Sequence, residues 1–266
     1  MADRRETVLI TGASSGIGLE LARIFAKNSY DLILVARREA ELQSLAQNCR
    51  IEYGSQVHVF PMDLLVPDAS AKLVGQLKDS DLEVDILVNN AGLMDMGRFA
   101  EIEVDRHERL LQLNIVVLTS LTRLLLPAMI RRGRGRIMNV ASTSSFQPVP
   151  SMALYAASKA FVLSLSESLS EELKGTGVTV TALCPGITKT DMYDRAHAEH
   201  DSVQYLPQFF LSSVEDVARD GYEACVAGQA VVVPGIPNQV VAGAVGLYPR
   251  WLVRGIGGLI GRSSTR

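Results

Sequence analysis

Short apolar runs rich in Val, Ile and Leu alternate along the chain with longer stretches whose apolar positions recur at helical spacing. The runs at 7–10, 31–35, 57–60, 85–88, 136–141, 178–183 and 230–233 predict strands. Leu32-Ile33-Leu34-Val35 is apolar at every position, which suits a strand covered on both faces, as in a parallel sheet. Between these runs, residues 16–28, 39–49, 67–78, 105–131, 154–174 and 214–226 follow the helix period. Ser212 and Glu215 predict a capping box at the start of the last helix. Such alternation implies right-handed crossovers and a doubly wound α/β fold, with a predominantly parallel seven-stranded sheet flanked by helices. The 266 residues show no repeat, linker or low-complexity tract, so 1–266 reads as a single domain.

Two stretches break the rhythm. Residues 188–212 follow the sixth strand and mix polar residues with Met192, Tyr193, Tyr205, Phe209 and Phe210. A long loop at the C-terminal end of a strand predicts a substrate lid. Residues 224–266 hold no Asp or Glu, yet carry Arg250, Arg254, Arg262 and Arg266 among apolar residues. The extension 236–266 has three readings. It is a helix packed on the core or a partner subunit, an apolar cover over a substrate pocket, or a patch that touches membrane or acyl chains. Pro249, Arg250 and Arg254 interrupt the apolar stretch 240–260, which argues against a spanning helix.

Composition narrows the function. A hydrophobic share of 47% with 21% charged residues fits a soluble globular protein. The net charge of −3, without a Lys/Arg tract interleaved with aromatics, gives no basis for nucleic-acid binding. Cys49, Cys184 and Cys225 have no ligand spacing and read as reduced thiols of a cytoplasmic protein. His197 and His200 lack a third ligand, so no metal is expected. The charged N-terminus runs directly into an apolar strand, unlike a signal peptide.

The chemistry begins at Thr11-Gly12-Ala13-Ser14-Ser15-Gly16-Ile17-Gly18, between the first strand and the first helix. Glycines there allow a tight turn and let backbone N–H groups approach a pyrophosphate at the helix N-terminus. At the end of the second strand stand Arg37 and Arg38, where an acidic residue would bind the ribose 2′-hydroxyl of NAD. Guanidinium groups there predict the 2′-phosphate of NADP(H), with Arg37 ahead of Arg38 and Ser14 adding a hydroxyl. Further on, Tyr155 and Lys159 stand at i and i+4, on one face of a helix. The nearby ammonium is expected to favour the phenolate and ease proton transfer. Ser142 lies upstream, in Asn139-Val140-Ala141-Ser142.

The ordered set Thr11-Gly12-x-x-x-Gly16-x-Gly18, Asn89-Asn90-Ala91-Gly92, Asn114, Ser142, Tyr155-x-x-x-Lys159 and Pro185-Gly186 resembles the short-chain dehydrogenase/reductase family, in its compact branch. The likeness covers about residues 6–235, and many members carry two adjacent serines where this chain has Ala141-Ser142. The resemblance implies a Rossmann-type fold and reversible hydride transfer between NADP(H) and a carbonyl/alcohol pair. It makes Tyr155 the general acid or base, Ser142 the group that polarises the carbonyl, and Lys159 the partner of the phenol and the nicotinamide ribose. Asn114 would hold a water that relays protons to Lys159. Gly12, Ser14, Ser15, Gly16, Ile17 and Gly18 would cradle the pyrophosphate, while Asp63 and Leu64 would meet the adenine. Asn90, Ala91 and Gly92 would line the cofactor channel, and Pro185, Gly186, Ile187, Thr188 and Thr190 would flank the nicotinamide. A ketone or aldehyde reductase for a hydrophobic substrate is the expected activity. A 3-oxoacyl thioester or steroid-like ketone reductase, or a catalytically silent NADP(H)-sensing protein, are the alternatives. The resemblance also implies a homodimer or homotetramer built on the helices 105–131 and 154–174.

Overall fold

A computed structural model describes residues 4–190 and 211–247, together with Gly255. The chain runs β1 (Thr7–Thr11), α1 (Gly16–Lys27), β2 (Asp31–Ala36), α2 (Glu39–Tyr53), β3 (Val57–Pro61), α3 (Ala69–Asp79) and β4 (Ile86–Asn89). There follow α4 (Val104–Leu111), a π-helical segment (Gln112–Val117), α5 (Leu118–Arg132), β5 (Gly135–Val140), α6 (Ala153–Glu172) and β6 (Val178–Leu183). The remainder holds β7 (Ile187–Thr188), β8 (Leu211–Ser212), α7 (Val214–Ala227), β9 (Val231–Val232) and α8 (Ile236–Leu247). The main sheet has the strand order β3-β2-β1-β4-β5-β6-β9, and every pair in it is parallel.

Both faces of this sheet are covered, as the unbroken apolar runs predict. Val8 and Ile10 point into a cluster with Leu21 and Phe25 of α1, Leu42 of α2 and Val217 of α7. Leu9 points the other way, toward Leu73 and Leu77 of α3 and Leu121 and Met129 of α5. Strand β2 divides likewise, Leu32 and Leu34 to one side and Ile33 and Val35 to the other. A third cluster seats Val162 and Leu163 of α6 on the sheet beside Ala182 and Cys184. Strand order reverses between β1 and β4, so a crevice opens at their C-terminal ends, where such sheets bind ligands.

Three local features depart from the sequence reading. The expected Ser212–Glu215 capping box is shifted by one residue: Ser213 is the cap, and its Oγ accepts from the Asp216 N–H at 3.0 Å. Ser212 cannot serve because it is drawn into β8, paired with Thr188 of β7. The helix expected over 105–131 is interrupted by the π turn, which inserts slack into the helix where Asn114 sits. The two-residue strands β7 and β8 have no signature that a periodicity can register. Most of the predicted lid, and the extension beyond α8 apart from Gly255, lie outside the described residues.

Candidate active site

The crevice between β1 and β4 is built around the glycine turn. Gly12 has φ +68°, and its N–H donates to the Val35 carbonyl at 2.8 Å, bending the chain away from the strand. Thr11 Oγ1 donates to the Val88 carbonyl at 3.2 Å and accepts from the N–H groups of Asn90 (3.0 Å) and Ala91 (3.1 Å). Asn90 Nδ2 donates back to the carbonyls of Thr11 (2.9 Å) and Gly12 (3.2 Å). The turn is thus latched to the end of β4. A Cβ on Gly18 would run into Asn90 Nδ2 and lie 2.5 Å from the Gly12 carbonyl oxygen.

A dinucleotide fits this cradle. Its glycines leave the space that a phosphate needs, and α1 starts at Gly16 with no side-chain cap from Ser15 on its first N–H groups. Thr190 crosses above, its Cγ2 lying 3.2 Å from where a Cβ of Gly16 would be. Arg38 Nε donates to Ser14 Oγ and its Nη2 to the Ser14 carbonyl, both at 3.2 Å, so this guanidinium lies on the turn. Arg37 is exposed beside it. Asp63 closes a short turn by accepting from the Leu65 N–H at 3.0 Å, and Leu64 is buried in the core cluster under β1 and β2.

One step along the crevice, the π turn presents Asn114. Its Nδ2 donates to the Leu93 carbonyl (2.9 Å) and to Ser158 Oγ (3.1 Å), and its Oδ1 accepts from the Leu93 N–H (2.8 Å). Ser158 Oγ in turn donates to the Tyr155 carbonyl at 2.7 Å. A Cβ on Gly92 would lie 3.3 Å from Asn114 Oδ1 and 3.6 Å from Lys159 Nζ, so Asn90-Ala91-Gly92 runs directly against both. Ser142, just beyond β5, accepts from the Ser144 N–H at 3.1 Å and is hydrogen-bonded to Tyr155. Beneath them a buried polar chain crosses the sheet: Asn89 Nδ2 donates to Asn139 Oδ1 at 2.9 Å, and Asn139 Nδ2 donates to Ser166 Oγ at 2.9 Å. The structure therefore gathers Asn114, Ser142, Tyr155 and Lys159 at one end of the glycine cradle. Ser158 and Thr11 also belong to this framework, and the sequence signals neither beyond placing it inside a motif.

The electrostatics differ from the expectation for Tyr155. Burial pushes the phenol above its ordinary value, and the Ser142 hydrogen bond offsets part of that. The Lys159 ammonium sits 5.8 Å from the ring centroid and is committed to the Val140 carbonyl at 2.8 Å, so Ser142 is the group that favours the phenolate here. Burial pulls Lys159 itself down from 10.5 to about 8. An ammonium with a lowered pKa weakens the folded state while it is charged, and that penalty is full below pH 8. As pH rises from 8 toward 10.5 the unfolded chain holds the extra proton, and the penalty is relieved. Lys159→Met is therefore expected to remove a rise in unfolding free energy between pH 8 and 10. Denaturant melts of both proteins across that range test this, and parallel pH profiles would contradict it.

A parallel sheet whose crossover point carries a glycine cradle defines a Rossmann-type nucleotide-binding fold. The model of the short chain dehydrogenase family matches residues 6–201. The chain belongs to that family, whose members are oxidoreductases that use a nicotinamide nucleotide and act on small molecules. It is 36% identical over 190 residues to the ketoacyl reductase HetN of Nostoc sp., a match that covers 70% of this chain and 65% of that protein. A short-chain dehydrogenase from Sphingobium yanoikuyae, solved with NADPH, superposes with a TM-score of 0.81 at 36% identity, covering 90% of this chain and 93% of the other. The bulky-bulky ketone specific alcohol dehydrogenase from Comamonas testosteroni gives a TM-score of 0.76 at 30% identity, with 91% and 93% covered.

Proposed function

We propose that the chain, as one catalytic domain over 1–266, is an NADP(H)-dependent reductase of hydrophobic ketones or aldehydes. The observation that carries this reading is the convergence of Ser142, Tyr155 and Lys159 beside a nucleotide cradle on which Arg38 lies. Gly12, Gly16 and Gly18 would admit the pyrophosphate, Arg38 and Ser14 the 2′-phosphate with Arg37 beside them, and the 185–190 segment the nicotinamide end. When bound, the cofactor supplies a hydride to carbon in reduction or accepts one in oxidation.

The remaining work belongs to the side chains. Ser142 Oγ holds the substrate carbonyl oxygen beside Tyr155, and Tyr155 Oη delivers its proton to that oxygen as the C–O bond becomes an alcohol. Lys159, fed from solvent through a water held at Asn114, would return a proton to the phenolate. A phenol carries its proton at neutral pH, and burial pushes Tyr155 further in that direction, which suits it to the reductive direction. The Comamonas enzyme's bulky ketones and the Nostoc protein's ketoacyl name support a carbonyl substrate, and the latter favours a 3-oxoacyl thioester as the second reading. Leu111, Val116, Leu124 and Ile130 are exposed along the helix from α4 to α5, and Phe161 is exposed on α6. They would be the self-association surface of a homo-oligomer. Three free buried thiols fit a reducing compartment such as the cytoplasm.

Parallel fluorescence titrations with NADPH and NADH test the cofactor assignment. NADPH is expected to bind at least about tenfold more tightly, and Arg38→Ala to erase most of that preference while leaving NADH affinity alone. Equal affinity of the unaltered protein for both would overturn the 2′-phosphate assignment. Turnover in a screen of apolar ketones, aldehydes and 3-oxoacyl thioesters would then fix the substrate class, and tight NADPH binding with no turnover would point to the silent sensor.

A further inference from the structure

The start of α8 carries a buried polar side chain that belongs to none of the family motifs. Asn238, in the first turn of that helix, is 8% exposed. Its Nδ2 donates to the Pro234 carbonyl at 2.9 Å and to Ser212 Oγ at 3.4 Å. Both polar atoms of the carboxamide crowd Gly186: a Cβ there would lie 2.5 Å from Asn238 Nδ2 and 2.5 Å from its Oδ1. One side chain thus touches the loop after β6, the strand β8 and the loop after β9. From its other side, the same β6 loop is held by the Ser142 region, where the Thr143 N–H donates to the Pro185 carbonyl at 2.8 Å.

The chemistry of this contact is specific. A buried carboxamide costs free energy unless it is hydrogen-bonded, and in so apolar a helix packing alone would be served by Leu. Gly186 does not have a positive φ, so its backbone would accept alanine, and the three atoms nearest to a Cβ there all belong to Asn238. The requirement for glycine at 186 and the presence of asparagine at 238 are therefore two halves of one fit.

We propose that Asn238 is a positioning residue for the nicotinamide half of the cofactor. It fixes the 185–188 segment from behind and ties it to Ser212 and to the root of the C-terminal extension. The inference rests on the NADP(H) reading above, and its test separates the two. Binding of NADP⁺ is compared with binding of 2′-phospho-ADP-ribose, which has the same adenylate and pyrophosphate but no nicotinamide. Asn238→Ala is expected to weaken NADP⁺ about tenfold, the scale of one or two lost hydrogen bonds, and to leave the fragment's affinity unchanged. General structural damage would weaken both ligands alike. Gly186→Ala should show the same selective loss, and the double variant little more than either single one, because both disturb one contact. Should Asn238→Ala not fold, Asn238→Ser keeps a hydroxyl donor without the reach and makes the same comparison. Equal effects on the two ligands, no effect, or additive losses in the double variant would overturn the role of Asn238 and leave the NADP(H) reading standing. Failure of the unaltered protein to bind either ligand would remove both.

Discussion

Tyr155→Phe is expected to lower carbonyl-reductase turnover by about 10²–10⁴-fold, the range set by loss of a positioned general acid. The ring is kept and only the hydroxyl is lost, so the half-buried packing of α6 is preserved. NADPH affinity should change little, because the glycine cradle, Arg38 and Lys159 do not depend on the phenol oxygen. The Ser142 hydroxyl loses one partner but keeps the Ser144 N–H. Steady-state assays on the best apolar ketone, beside an NADPH titration and a thermal melt, separate chemistry from folding. A loss below about tenfold, with folding and binding intact, would mean that the proton reaches the substrate by another route. Since burial raises the phenol's pKa, oxidation of the matching alcohol should accelerate as pH rises above neutral while reduction does not.

Gly18→Ala should be as damaging by a different mechanism. Inside a helix, alanine ordinarily improves on glycine by about 1 kcal/mol. At this position the added methyl meets Asn90 Nδ2 and the Gly12 carbonyl oxygen, both parts of the latch that joins the β1 turn to β4. Overpacking of this kind costs about 1–3 kcal/mol, and breaking the latch moves the first turn of α1 that the pyrophosphate would meet. Urea unfolding is expected to show a net loss despite the better helix former, and NADPH binding should fall at least about tenfold. Wild-type stability together with wild-type affinity would show that the latch yields freely.

Much of this was legible in the sequence because the relevant signals are periodic or ordered. The unbroken apolar runs of β1 and β2 identify strands buried on both faces, and the clusters around Leu9 and Ile33 on one side and Val8 and Leu32 on the other confirm them. The glycine turn, Ser142 and the Tyr155–Lys159 pair announce themselves by spacing. What stayed hidden depends on small displacements or on distant partners. Ser212 and Ser213 are both plausible caps, and only the pairing of β8 with β7 selects the second. Arg37 and Arg38 are adjacent, and the exit path of β2 puts Arg38 on Ser14. Spacing predicts that Lys159 acts through its charge on Tyr155, but its ammonium is held by the Val140 carbonyl, a backbone contact that side-chain spacing does not reveal. Asn238 lies in an apolar stretch with no motif, and its meaning comes from Gly186, which is far away in the chain.

The π turn at Gln112–Val117 has a consequence for how this region can change. Each residue of a regular helix turns its successors by about 100°. The helices α4 and α5 are therefore out of phase with the single straight cylinder that their sequence suggests. Removing one residue from the turn would restore regularity, yet it would swing α4 around the axis and draw Asn114 away from Leu93 and Ser158. The number of residues between Leu111 and Leu118 is therefore fixed by the contacts of Asn114. Chimeras with relatives should consequently exchange this stretch as one uninterrupted cassette and never cut within it.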